Sequence, residues 1–314
     1  MLPYQDDFLL HLQAGNYSAR TIYNYERDLS VFHRFLTDSQ FEFPRLTKRH
    51  ITYYKAYLSS RDRQTASGVH GGDSATLDSR SINRMLSALR SYLKYLIDMD
   101  YPCPLSPDAI QLTKTTRKHP QVAELQTLTN LVEAPSLFES DHEVALRNRA
   151  MLEVLLATGM RISELCNLKR TQIDDSGRIF ITGKGRKQRF VYLTDRATQH
   201  LRTYLETRND NAPALFIPYA GRNVNNPRRH ISTNYVQERI KSYRERLSIN
   251  VPTSAHSLRH GFATYLAEAG ANPAALQILL GHESLDTTTR YVHASDRYAE
   301  QTHRKYHPKA KPND

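Results

Sequence analysis

Apolar positions return at helical spacing along most of this 314-residue chain. After Ser18, a natural helix cap, Ile22, Tyr25, Leu29, Phe32 and Leu36 recur every three or four positions and share one helix face. Residues 4–14 predict a shorter helix before it, ending at Gly15, and Thr47 opens a third over 47–60. From Ser79, read as a cap, Ile82, Leu86, Leu89, Leu93 and Leu96 predict a fourth. Residues 60–78 between them hold Gly, Ser, Asp and a His-Gly-Gly without a period, and read as a mobile loop. The region 1–104 is thus expected to be a small all-helical domain. Residues 101–121 are rich in Pro, Thr and basic side chains, and a linker is placed at 105–121.

The second domain is expected over 122–314. Helices are predicted around 122–133 and 142–157, with Gly159 stopping the latter, Arg161 in the turn and a new helix from Ile162. Two β-rich runs, 178–183 and 188–193, are joined by Lys184-Gly185-Arg186-Lys187, a hairpin pattern. Helices at 194–208 and 231–247 follow, with a basic, mobile loop at 219–230 between them. Residues 253–270 predict a helix that Thr253 or Ser254 caps and Gly270 closes in a left-handed conformation. Asn272-Pro273 opens another, which stops at Gly281. Residues 295–307 read as helical and 309–314 as a disordered tail. No internal repeat is visible. The fold class is mainly α, with a small antiparallel sheet in the second domain.

Charge changes the picture. Lys and Arg number 43 against 32 Asp and Glu, a net charge of +11, which points to an anionic partner: nucleic acid first, a membrane surface second. Arg20, Arg27, Arg34 and Arg84 are among the basic residues set between the N-terminal aromatics and can meet phosphates; taken singly, each also fits an ordinary solvated face. The two cysteines, Cys103 and Cys166, make neither a disulfide framework nor a zinc quartet, so a reducing compartment fits. No run of ~18 apolar residues predicts a membrane span, and the acidic N-terminus lacks the features of a signal peptide. A cytoplasmic protein is expected.

The candidate chemistry lies near the C-terminus. His256 and Arg259 are three apart and share a helix face. His282 follows Gly281 at once, and Tyr291 comes nine residues later. Two histidines, an arginine and a tyrosine can therefore converge. Arginine and histidine bind phosphate, and tyrosine can attack it. The order His256-x-x-Arg259, Leu280-Gly281-His282, Tyr291, with Arg161 upstream in Ala157-Thr-Gly-Met-Arg161-Ile-Ser-Glu-Leu, resembles the tyrosine recombinase (phage integrase) family, most closely its Xer-like members. The resemblance covers the C-terminal half by motif and the N-terminal half by general character.

That resemblance implies a helical, SAM-like core-binding domain at 1–104 and a catalytic domain at 122–314 with a C-terminal oligomerisation segment. It implies a DNA breaking-and-rejoining enzyme with catalytic residues Arg161, Lys184, His256, Arg259, His282 and Tyr291. Arg161 and Arg259 would hold phosphate oxygens. Tyr291 would be the nucleophile and His256 the base that takes its proton, while His282 donates to the phosphate. Lys184 on the hairpin would protonate the 5′ leaving oxygen, with Lys187 as a rival. Glu164, one turn from Arg161, would orient Arg161 or a neighbouring histidine, with a capping or surface role as the alternative. His260 is expected to support packing. A 3′-phosphotyrosyl bond conserves energy, so neither ATP, metal nor another cofactor is expected. Partners would be duplex DNA with a specific site and a homo-tetramer, or a hetero-tetramer with a related recombinase; an accessory protein, and the choice between chromosome-dimer resolution and mobile-element integration, stay open.

Three alternatives stand beside this reading. His256 and His260 are i, i+4, as zinc ligands can be, although Arg259 between them repels a cation. A DNA-binding protein without catalysis explains the charge but not the site. A type IB topoisomerase shares the chemistry. The Lys184 hairpin does not match a nucleotide P-loop.

Overall fold

The computed structural model describes residues 1–60, 77–114, 123–182, 188–222 and 224–281. Lys184, Lys187, His282, Tyr291, most of the 60–78 loop, the end of the predicted linker and the C-terminal segment lie outside the described residues. The chain divides into two compact units, Met1–Lys118 and His119–Asp314.

The first unit contains helices α1 (Gln5–Ala14), α2 (Ala19–Asp38), α3 (Lys48–Ser59) and α4 (Ser79–Asp98). The Ser18 hydroxyl caps α2 by accepting from the Thr21 amide at 3.1 Å. The cap of α4 is Asp78 rather than Ser79: its carboxylate accepts from the Ser81 amide at 2.8 Å. A carboxylate there also faces the positive end of the helix dipole. Leu29, Phe32 and Leu36 of α2 meet Leu86, Leu89, Leu93 and Leu96 of α4 in one core, with Tyr54 of α3 set edge-on to Phe32 at 4.8 Å between centroids. The apolar stripes that predicted these helices are the faces they bury. Ile110, within the stretch expected as linker, is buried in the same core, and Asn83 exchanges hydrogen bonds with the Thr113 backbone at 2.8 and 2.9 Å.

The second unit holds α5 (Leu125–Phe138), α6 (His142–Thr158), α7 (Ile162–Cys166), β1 (Arg178–Thr182), β2 (Gln188–Tyr192), α8 (Asp195–Glu206), α9 (Thr233–Arg246), α10 (Ala255–Glu268) and α11 (Pro273–Leu280). The strands pair antiparallel, Arg178 opposite Tyr192 through Thr182 opposite Gln188. The first helix begins later than expected and runs on through Pro135, which sits so near the C-terminal end that only the last turn feels its missing donor. The described residues of the stretch expected as a loop, 219–222 and 224–230, form turns in which Arg229 donates to the Val224 carbonyl at 2.5 Å and the Arg228 amide to the Asn226 side chain at 2.8 Å. Among the described residues no helix is long and apolar enough to cross a membrane.

Helix α6 is the axis of this unit, with α5, α8 and α10 packed around it. From Arg147 to Leu155 it is buried on every side, which is why its apolar residues form a run rather than a stripe. Arg147 is 2% exposed. It donates to the Ile217 carbonyl at 2.9 Å and lies over the rings of Tyr219 and Tyr235, which satisfies a cation that burial would otherwise penalise. α6 ends at Gly159 with φ +59°, where a Cβ would come within 2.3 Å of the Phe262 ring. The glycine is thus required both by the left-handed turn and by the approach of α10. That turn delivers the chain to Arg161.

Candidate active site

Arg161 is the N-cap of α7, and Glu164 one turn later fixes it twice. A Glu164 oxygen accepts the Arg161 amide at 2.8 Å, and the other accepts Nη1 of the guanidinium at 3.1 Å. Of the roles expected for Glu164, the first bond is a helix cap and the second orients Arg161, while a mere surface role is excluded by its burial. Burial alone would raise the Glu164 pKa, but hydrogen bonds from Arg189 and the Arg161 amide, with the charges of both arginines, hold it below the usual carboxylate range. Glu164 is therefore ionised at neutral pH.

Arg259 enters from α10 and is 4% exposed. Its Nη1 donates to the Gly159 carbonyl at 2.7 Å and its Nη2 to the Leu280 carbonyl at 2.5 Å. Arg161 Nη2 reaches the next carbonyl, Gly281, at 3.2 Å. Arg189 Nε takes the one before, Leu279, at 2.9 Å. Three guanidiniums thus hold three consecutive carbonyls at the C-terminal end of α11. Those groups have no partners within the helix and carry the negative end of its dipole, so cations suit them. Gly281 turns with φ +62°, and a Cβ there would lie 3.1–3.3 Å from the Arg189 side chain. The arginines therefore grip the turn from which the chain continues directly into His282.

Arg189 was missed by sequence reasoning. Its fork donates both Nη groups to Glu164, at 2.9 and 2.7 Å, and both side chains are 6% exposed. One signal was present: along β2, Arg189 and Val191 are the buried positions and their neighbours face outward. An arginine on the inward phase of a strand needs a buried anion or carbonyls.

His256 lies one turn before Arg259 on α10, with its Nε2 2.8 Å from Nε2 of His260. His260, expected to support packing, is also the hydrogen-bond partner of the candidate base, with one proton between the two rings. Partial burial, then the charges of Arg259 and Arg161, hold the His256 pKa below the ordinary imidazole value. His256 is therefore neutral at pH 7, as a base must be. Protonation disfavours the folded site, so the rate of strand cleavage should hold steady down to about 6.5 and fall only below it, as should the His256 contribution to stability. A pH–rate profile checks this; a fall that sets in well above the ordinary imidazole value would contradict it.

A cleft of about 620 Å³ opens beside Arg161, lined also by Glu164, Lys169, Thr171, Gln172 and Thr182. Thr182 is the last described residue before the hairpin that carries Lys184. Cys166 is buried behind this surface and burial pushes its thiol up to about 12, so it is no nucleophile. Among the described residues no group of three or more His, Cys, Asp or Glu side chains could hold a metal ion. The described part of the site is a cationic pocket with a neutral histidine, suited to a phosphate with charge growing on its oxygens.

A profile described as the phage integrase family matches residues 124–297, and one described as the phage integrase N-terminal SAM-like domain matches residues 6–99. The chain belongs to the phage integrase family. It is a site-specific tyrosine recombinase, an enzyme that breaks and rejoins DNA. Tyrosine recombinase XerC of Leptospira interrogans is 32% identical over 301 residues, 94% of this chain and 90% of that relative. Tyrosine recombinase XerD of Staphylococcus epidermidis is 31% identical over 305 residues, 93% of this chain and 94% of that relative. The XerH site-specific recombinase, crystallised with a palindromic difH substrate as a post-cleavage complex, has the same fold: TM-score 0.69 at 23% identity, over 92% of this chain and 80% of that one. The mainly helical architecture with one small antiparallel sheet is the tyrosine recombinase fold.

Proposed function

We propose that this phage integrase family member exchanges strands at a specific duplex DNA site through Tyr291. The convergence of Arg161 and Arg259 on the end of α11, immediately ahead of His282, is the observation that carries the proposal. The two arginines hold non-bridging oxygens of the scissile phosphate and offset the charge that builds in the transition state. Tyr291 Oη attacks phosphorus while its proton passes to neutral His256. His282 donates to a phosphate oxygen. The bond from phosphorus to the 5′ oxygen breaks, and Lys184, or Lys187 beside it, protonates the leaving oxygen. The freed 5′ hydroxyl of a partner duplex reverses these steps. Bond energy is retained in the 3′-phosphotyrosyl link, and no ATP or metal takes part.

Residues 1–104 are proposed as the core-binding domain, 122–314 as the catalytic domain with an oligomerisation segment, and 105–121 as the connection between them, its part through Thr113 packed on the first unit. Duplex DNA is the substrate by chemistry and by kinship: XerH is seen bound to difH, and lambda integrase to a core site. Four protomers, of this chain alone or with a related recombinase, act on two sites in the cytoplasm. Selection from random DNA supplies the site. Two distinguishable duplexes bearing it should then yield recombinant products at an undiminished rate in excess EDTA. Loss of cleavage in EDTA, restored by a divalent ion, would favour a nuclease-like centre. Supercoil relaxation without recombinants would favour a topoisomerase, and binding without cleavage a DNA-binding protein.

A further inference from the structure

We infer that Arg189 is a positioning residue for the reaction: it balances the charge of Glu164, so that Glu164 orients Arg161 without cancelling the positive charge Arg161 presents to the phosphate. The inference rests on the reading of Arg161 as a phosphate-binding residue. One carboxylate serves two guanidiniums. Each Glu164 oxygen accepts from both arginines: Oε1 from Nη1 of Arg189 and Nη1 of Arg161, Oε2 from Nη2 of Arg189 and the Arg161 amide. Glu164 and Arg189 are both 6% exposed, whereas the Arg161 side chain is 35% exposed. The surplus positive charge of the trio therefore sits at its open end. Without Arg189, Glu164 and Arg161 would form a neutral pair and the pocket would meet the phosphate with one cation fewer.

The same side chain makes this arrangement rigid. Arg189 Nε donates to the Leu279 carbonyl, and its Cδ and guanidinium pack against Gly281. Strand β2, helix α7 and the end of α11 are thereby joined through one residue. β2 is the strand that leaves the Lys184 hairpin, α7 opens at Arg161, and α11 leads into His282, so the tie links three segments that carry the proposed chemistry. Lysine keeps the charge but cannot make three bonds in fixed directions.

The test is single-turnover cleavage of a nicked cognate duplex, with DNA affinity and thermal unfolding measured alongside. The variants are R189M, R189K, E164Q, the double variant E164Q/R189M, and R161A as control. R189M is expected to cleave roughly 10–100-fold more slowly at unchanged affinity, because an unbalanced carboxylate then faces Arg161. Adding E164Q removes that carboxylate, and the double variant should recover about tenfold or more over R189M. A merely structural role predicts the reverse: the double variant, having lost more bonds, would be slower than R189M, and rates would follow melting temperature. Should R189M not fold, R189K decides. It keeps the charge and is expected within about fivefold of wild type, with a lower melting temperature. A rate for R189K as low as that of R161A would overturn the inference. So would wild-type cleavage by R189M while R161A is inactive. Wild-type cleavage by R161A would instead overturn the reading of Arg161 itself.

Discussion

Tyr291→Phe is expected to bind its cognate duplex as tightly as the wild type and to form no covalent adduct. The change removes one oxygen and keeps the ring, so it deletes the attacking atom at little cost to packing. Phosphate binding is assigned to Arg161, Arg259 and His282, and none of these is altered. The electrostatic part of affinity, which dominates protein–DNA association, should therefore persist. Cleavage should fall to background rather than by a finite factor, because no other nucleophile replaces a phenol at that position. A gel-shift titration with a cleavage assay on the same duplex measures both. Residual cleavage near the wild-type rate would place the nucleophile elsewhere.

The second large effect is expected from Arg161→Ala. The side chain of Arg161 spends one N–H of Nη1 on Glu164 and one of Nη2 on Gly281. Each of those nitrogens carries a second hydrogen, so a fork is left for a phosphate. Removing one such donor from a preorganised site costs a factor of roughly 10²–10³ in rate. Ground-state binding should change far less, since the chain's many other basic groups remain to meet the duplex. Cleavage rate and dissociation constant, measured together, separate the two effects. Equal losses in both would mean that Arg161 only binds DNA. Arg161→Lys should fall between, because the charge remains and the fork does not.

These results turn on residues that were readable to different degrees. The helical bundle of the first unit followed from the spacing of Leu29, Phe32, Leu86, Leu89 and Leu93, because an amphipathic helix shows its buried face as a period. Gly159 and Gly281 were readable as stops, and both are left-handed. Arg161, His256 and Arg259 were readable through the order of their motifs; the two arginines meet at the Gly281 and Leu280 carbonyls, and His256 feels the charge of both. Arg189 was not, because its partners are 25 and 90 positions away and only the folded sheet brings them together. The link from His260 to His256 hid behind the plainer reading of a packing histidine. Arg147 was hidden for a similar reason: an arginine inside a helix reads as solvated until two aromatic rings and a distant carbonyl close over it. Local pattern fixes elements, while buried polar pairs between distant segments depend on tertiary structure.

The central claim is that one tyrosine becomes covalently joined to the 3′ side of the break. The chain has 19 tyrosines, so the identity of the modified residue decides the matter. A cognate duplex with a nick that lets the short 5′ fragment diffuse away would trap the adduct. Protease digestion and mass spectrometry would then identify the peptide that carries the nucleotide. The account predicts a single modified peptide containing Tyr291, linked through its phenolic oxygen to a 3′ phosphate. A nucleotide on any other residue, or a link to the 5′ side, would contradict it.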